Sequence, residues 1–436
     1  MISVTEYRQR RLKLMEAMGE RSIAILPAAS TKLRNNDVEY PYRQDSDFYY
    51  LTGFTEPEAL IVLIPKQETG TFILFCRERN TELEQWTGNR AGLVGAVDNY
   101  GADQAYPITE IDSILPDLIA DCTSIYTLLG KTEAFDQQTM RWLSAVRAKV
   151  RKGIQAPHTL IDVRHILHEM RLYKSEAEIT LLHQAAQISA HGHCRAMQAS
   201  QAGLTEQQLA AEFQYTLMRS NTHAQAYQAI IGSGKNACIL HYTQNTATLQ
   251  SGDLVLIDAG CELAGYASDI TRTFPVNGRF NATQRALYEV VLKAQLSAIE
   301  QVKPGNDWHA PHQAAVNVIT AGLVELGLLH GEVSELVATE AYKPFYMHNT
   351  GHWLGLDVHD VGQYKVNGHW RKFEPGMVLT IEPGLYIQTN QNVAPQWQEI
   401  GIRIEDVVVV TKTGCMILTA DVPKKIDEIE TLMQRK

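Results

Sequence analysis

No apolar stretch in this sequence approaches the ~20 residues that a membrane-crossing helix needs, so no such span is expected. Basic residues are in deficit. Against 49 Asp and Glu stand 39 Lys and Arg, a formal charge of −10, whereas a nucleic-acid binder needs cationic excess for its phosphate contacts. Cysteine is sparse and scattered (Cys76, Cys122, Cys194, Cys238, Cys261, Cys415), with no CxxC pair. That argues against a disulfide frame and for free thiols in a reducing compartment. The opening MISVTEYRQRRLKLMEAMG lacks the apolar core and cleavage site of a signal peptide, so a cytoplasmic location is expected. Repeats of solenoid length and low-complexity tracts are missing as well. With 436 residues, of which 45% are hydrophobic and 20% charged, the chain reads as globular and longer than one core usually serves.

Periodicity divides it in two. The first part alternates a helix over 4–18 with strand-like SIAIL (22–26), ALIVLI (59–64), TFILF (71–75) and SIYTLL (124–129), then a helix over 137–150. This predicts an α/β domain. Ser175 and Glu178 have capping-box spacing and should start a long helix reaching Ala199. The boundary is therefore set within 165–175, giving domains 1–170 and 171–436. The second part predicts helices over 205–219, 282–302 and 309–327. Its strands are expected at 253–258, 270–276, 377–387, 400–411 and 415–419. Helices on one face of a curved antiparallel sheet, an α+β arrangement, account for that order.

Chemistry concentrates where apolar strands run into acids. In LIDAGCELAGYASDITRTF the run LVLI ends on Asp258, and Asp269 follows eleven residues later. In GMVLTIEPG the run meets Glu382; in IGIRIEDVVVV, Arg403 and Glu405 stand two apart, the spacing of one strand face. YMHNTGHWLGLDVHD supplies His348, His352 and His359. A strand-end acid by itself is an ordinary solvated cap, and a histidine beside glycine an ordinary turn residue. Four carboxylates converging on one volume, however, cannot all stay ionised unless cations join them. Two divalent ions balance four negative charges, and oxygen-rich ligation with one imidazole suits Mn²⁺. HGHC (191–194), inside the predicted helix, is read as packing or surface rather than ligation, and GSGKN (232–236) lacks P-loop spacing.

The order Asp, Asp, His, Glu, Glu resembles the dinuclear pita-bread metallopeptidases. IGSGKNACILHY (231–242), HWLGLDVHDVG (352–362), EPGLYI (382–387), GIRIED (401–406) and the N-terminal YRQDSDFYYLTGFTEPEA are similar to bacterial aminopeptidase P, so the resemblance spans nearly the whole chain. It implies an aminopeptidase-P-like N-terminal domain and a catalytic pita-bread domain. It further implies that Asp258 chelates one metal, Asp269 and Glu405 bridge both, and His352 and Glu382 complete the second. A water between the metals would be the nucleophile. The implied reaction is hydrolysis of the bond between an N-terminal residue and a following proline. His241 and His359 would face the reacting carbonyl, Glu382 would shuttle a proton, and His348, Tyr386 and Arg403 would surround the proline ring. For His241 and His359 the bland reading is a loop anchor; for Arg403 it is a salt bridge to Glu405.

Trp86 matches a position where a neighbouring subunit caps the site, which would require a homo-oligomer, dimer or tetramer; its bland reading is a partly buried Trp. Two departures from the pattern are Asn349, where the family often has Gly, and the unfamiliar segment 365–373, in which Arg371 is the candidate basic residue for peptide binding. Prolidase activity on Xaa-Pro dipeptides is the nearer rival and a non-catalytic pita-bread binding module the other. All five metal-ligand types are present, against the second rival.

Overall fold

The computed structural model describes residues 1–65, 70–220, 222 and 224–434, and the chain separates into two compact units, Met1–Arg171 and Leu172–Lys436. Among the described residues no helix is long and apolar enough to cross a membrane, and the six cysteines are free.

The first unit is built on a six-stranded mixed sheet. In spatial order its strands are Gln104–Pro107, Thr71–Cys76, Leu60–Ile64, Ser22–Pro27, Ser124–Thr127 and Thr159–Asp162. Leu60–Ile64 runs antiparallel to both neighbours, while Ser22–Pro27, Ser124–Thr127 and Thr159–Asp162 are parallel. Central strands covered on both faces must be apolar at consecutive positions rather than alternate positions. IAIL and LIVL satisfy this, and Ile23, Ile25, Val62, Ile73 and Phe75 form a core with Leu115, Trp142 and Val146. The last three come from helices Ile111–Ile119 and Glu133–Arg147. The helix Val4–Met18 lies where its periodicity predicts. The helix Ile111–Ile119 and the strands Gln104–Pro107 and Thr159–Asp162 were not predicted.

In the second unit, helices Glu176–Ala199, Ala282–Ile299 and His309–Glu325 share one core with the strands. Leu287, Val291, Ala294 and Ala298 recur at helical spacing and pack with Val255, Ile257, Leu379, Ile381 and Val408. Ser175 accepts from the Glu178 N–H while Glu178 reaches back to Ser175, so the expected capping box starts the first of these helices. The strands form short antiparallel sheets. Leu254–Asp258 lies between Ile230–Ser233 and Thr271–Pro275; Val378–Ile381 pairs with Asp406–Val410, and Gly384–Ile387 with Ile400–Arg403.

Two expected strands are broken. The stretch 377–387 divides at Glu382–Pro383, where proline has no N–H for a ladder, and 400–411 divides at Ile404–Glu405. At each break the backbone pairs sideways instead: Glu382 N–H donates to the Thr350 carbonyl at 2.8 Å and Glu405 N–H to that of Thr271 at 3.1 Å. Each break therefore releases a glutamate from the sheet at the point where other loops arrive.

Candidate metal centre and substrate pocket

The two aspartates meet because the chain between them folds out and back. After Asp258, Cys261–Leu263 and Tyr266–Ala267 form a small hairpin, turned by Ala264 and Gly265 with φ of 50° and 84°. Thr271 then lands opposite Asp258 in the ladder. The turn also demands Gly260, since a Cβ there would lie 1.7 Å from the Ser268 carbonyl oxygen. On the opposite wall Gly351 has the same role; its Cβ would be 1.9 Å from the Thr380 oxygen. This close approach lets the segment 350–354 pair along Val378–Ile381, so that the Thr380 N–H donates to the His352 carbonyl at 2.9 Å. His352 is thereby fixed beside Glu382.

The resulting cluster is compact and buried. Ligand atoms of Asp269, His352 and Glu405 all lie within 4.8 Å of one another. His352 Nε2 is 3.4 Å from Asp269 Oδ2 and 3.6 Å from Glu382 Oε1. Asp258 faces the same volume through Tyr227, whose hydroxyl reaches Asp258 Oδ1 at 2.5 Å and also Asp269. Thr271 donates to Glu405 Oε2 at 2.6 Å, and Arg272, fully buried, pairs with Asp406 at 2.7 Å and donates to the Glu405 carbonyl. Thr380 Oγ1 accepts from the His352 N–H at 3.0 Å and donates to Glu382 Oε1 at 3.3 Å.

Charge in this cavity is unbalanced. Burial lifts Glu382 to about 7 despite His352 and Arg403, and burial with three neighbouring acids pushes Glu405 well above the carboxylate range. Burial raises Asp258 too; Arg403 pulls it back and Asp269 adds to the rise. Burial alone would lower His352, but Asp269 and Glu382 outweigh it and bring the imidazole to about 9. Four carboxylates and one imidazole on fixed supports fit a divalent cation, whose charge removes the repulsion these side chains otherwise carry.

Beside the acids lies a pocket of cationic and aromatic groups. Arg403 donates to Asp258 Oδ2 at 2.6 Å, to Tyr386 OH at 2.9 Å and to Thr271 Oγ1 at 3.2 Å. Its ion pair therefore goes to Asp258, and the expected alternative, a bridge to Glu405, is replaced by the Thr271 contact. His348 Nε2 bonds Tyr386 OH at 2.9 Å, and its Nδ1 is 3.9 Å from Glu382 Oε2. Burial and Arg403 depress His348 to about 3, so it is neutral. His359 stacks edge-on to His352 with centroids 4.4 Å apart, and burial with that neighbour lowers it. His241 is exposed on its loop, between Leu240 and Tyr242, both of which pack in one cluster with Tyr386.

Of the residues singled out from sequence, Asp258, Asp269, His352, Glu382, Glu405, His241, His348, His359, Tyr386 and Arg403 thus gather at one site. Trp86 belongs to the first unit, on helix Thr81–Thr87, which has no buried residue; at 86% exposed it is not the partly buried Trp of the bland reading. Asn349 is absent from the left-handed region, so its turn does not require glycine; its carbonyl simply accepts from His348. Arg371 is buried and donates Nε to the Gln363 carbonyl at 2.8 Å. The HGHC segment contributes packing: His193 is fully buried, bonded to the Ala259 carbonyl at 2.9 Å, and burial lowers it to about 4. Sequence reading missed Tyr227, Thr271 and Thr380, ordinary residue types that no spacing distinguishes.

Comparison with known proteins agrees with this geometry. Residues 180–412 match metallopeptidase family M24, and residues 7–126 match the aminopeptidase P N-terminal domain. The Xaa-Pro aminopeptidase of Escherichia coli K12 is 46% identical over 433 residues, 99% of this chain and 98% of that protein. The structure of Pseudomonas aeruginosa aminopeptidase PepP superposes with a TM-score of 0.98 at 54% identity, covering 99% of this chain and 98% of the other. That of Escherichia coli aminopeptidase P with the inhibitor Pro-Leu does so with 0.97 at 46% identity, over 99% and 98%. The fold is accordingly an α/β N-terminal domain followed by an α+β pita-bread domain, and the chain belongs to metallopeptidase family M24, in its aminopeptidase P branch.

Proposed function

We propose that this chain hydrolyses the bond between an N-terminal residue and a penultimate proline in peptides. The observation that carries the reading is the gathering of Asp269, His352 and Glu405 donor atoms within 4.8 Å, directly beside the His348–Tyr386–Arg403 pocket. Residues 1–170 are assigned as the N-terminal domain and 171–436 as the catalytic one. Two divalent ions, Mn²⁺ by donor chemistry, would be held by Asp258 on one side, by His352 and Glu382 on the other, and by Asp269 and Glu405 between them. Bound there, such a pair supplies a nucleophilic water at neutral pH and polarises the scissile carbonyl.

The side chains then divide the remaining work. Asp258 receives the free N-terminal amine. Neutral His348, with Tyr386 and Arg403, encloses the proline ring and fixes the peptide. His241 and His359 approach the carbonyl oxygen and donate to it as charge develops there. Glu382, 3.9 Å from His348 through Oε2, is placed to pass a proton to the proline nitrogen, which as a tertiary amide must be protonated to leave. Trp86, exposed on its helix, would cap a neighbouring subunit's site in a dimer or tetramer. The absence of a membrane-crossing helix among the described residues and the six free cysteines support a cytoplasmic enzyme. The Escherichia coli relative takes the inhibitor Pro-Leu, a ligand with a residue beyond proline, which favours longer peptides over prolidase-type dipeptides.

His359→Ala tests the assignment of the carbonyl side. A group that helps only as charge develops changes the transition state, so kcat should fall by about 100-fold with KM within about twofold. An unchanged kcat with a raised KM would make His359 a binding residue instead.

A further inference from the structure

Glu206 opens the helix Glu206–Arg219, behind the N-cap Thr205. An acid in a first turn is normally a solvated partner of the helix dipole. This one is 0% exposed, and both carboxylate oxygens are spent on a single loop. Oε1 accepts from Ser233 N at 2.8 Å and Asn236 Nδ2 at 3.0 Å, where the loop begins. Oε2 accepts from Tyr242 OH at 2.9 Å and Ala247 N at 2.9 Å, where it ends. The Glu206 N–H closes the ring by donating to the Ala247 carbonyl at 2.9 Å.

His241 stands on this loop, next to one of the four anchors. Its flanking residues face inward: Tyr242 is buried and Leu240 packs on the same cluster, which includes Ile230, Leu256 and Tyr386 of the substrate pocket. A second staple is Asn245, which accepts from Ile231 N at 3.0 Å and donates to the Ala229 carbonyl at 2.8 Å. Gly401 lets the strand carrying Arg403 approach the loop, because a Cβ there would lie 2.2 Å from the Ala237 oxygen. The imidazole is thus exposed on a segment whose two ends are tied to one buried carboxylate.

The geometry points to Glu206 as the positioning residue for His241: it touches no reacting atom, but it sets where the imidazole stands relative to the scissile carbonyl. This rests on the role of His241 proposed above. Glu206→Gln keeps shape but turns one oxygen into an NH₂. Whichever way the amide lies, one backbone N–H, that of Ser233 or that of Ala247, loses its acceptor and one end of the loop is loosened. Tyr242→Phe removes the hydroxyl that ties the residue after His241 to Glu206 and leaves its ring packed, a milder change that serves if the glutamine variant folds poorly.

The test is steady-state hydrolysis of an Xaa-Pro-Yaa tripeptide by Mn²⁺-loaded enzyme, with Mn²⁺ affinity of the stripped proteins measured by calorimetry. Because small misplacement of a catalytic group is costly, Glu206→Gln should lower kcat by about tenfold and Tyr242→Phe by about threefold, with KM and Mn²⁺ affinity within about twofold of wild type. On a His241→Ala background neither should lower kcat further, since residues acting through one another are non-additive. Full kcat in either folded single variant, or an additive loss on that background, overturns the proposal. If His241→Ala alone leaves kcat intact while Glu206→Gln lowers it, the role of His241 is what fails, and Glu206 does not act through it.

Discussion

Replacing Asp269 by alanine is expected to lower turnover of an Xaa-Pro-Yaa peptide by more than the about 100-fold that loss of an outer partner of a metal site typically costs. Asp269 is the acid nearest both His352 and the Tyr227 hydroxyl shared with Asp258, so its removal opens the centre of the donor set. The metal-free fold should not suffer. Asp269 raises Asp258, Glu382 and Glu405 by repulsion, and its partners keep other contacts: Tyr227 retains Asp258, and His352 retains Glu382 at 3.6 Å. The stripped variant should melt no lower than stripped wild type. Added Mn²⁺ should raise Tm in the wild type and much less in the variant, because only binding to the folded state stabilises it. A variant that kept its rate would remove Asp269 from the metal site.

Arg403→Ala should have the largest effect on stability. The guanidinium is almost wholly buried and serves Asp258, Tyr386 and Thr271 together. Tyr386 would keep His348 and Thr271 would keep Glu405, but Asp258 would be left with Tyr227 as its hydrogen-bond donor. Breaking a buried pair this way costs about 3–5 kcal/mol, which chemical denaturation in the presence of a chelator would read. Loading with Mn²⁺ should reduce that loss by giving Asp258 a new cation. Lysine is a poor substitute, since one ammonium cannot reproduce a fork that reaches three partners. A loss below about 1 kcal/mol would mean the pair is effectively solvated. Turnover should fall as well, because the His348–Tyr386–Arg403 pocket, proposed above to enclose proline, loses the group that holds Tyr386.

Much of the site was legible because its acids contradict their surroundings. Asp258, Glu382 and Glu405 each interrupt an apolar run, and such an interruption needs a compensating charge wherever the chain folds. The supports were not legible. Tyr227, Thr271 and Thr380 reach the acids across the chain, and nothing local distinguishes them from other polar residues. Glu206 resembles any first-turn acid until its burial is known. Among elements, the helix behind Ser175 emerged with both ends, as did the apolar central strands of the first domain. The helix expected over 137–150, by contrast, is Glu133–Arg147, started by the Thr132 cap, and the one expected over 282–302 stops at Ile299. Strands 377–387 and 400–411 were read as continuous because β-rich composition persists through both breaks; only Pro383 hinted at one. The helix Ile426–Gln434 did carry a signal, with Ile426, Ile429 and Met433 buried along one face, but so short a segment beside the last strand reads equally as a tail.

The most direct test of the central claim uses chelator-stripped protein reloaded with Mn²⁺ and offered an Xaa-Pro-Yaa tripeptide and the matching Xaa-Pro dipeptide, with release of the first residue as readout. Metal-dependent cleavage that favours the tripeptide is the predicted result. Preference for the dipeptide, or no cleavage of either by protein with bound metal, would contradict it.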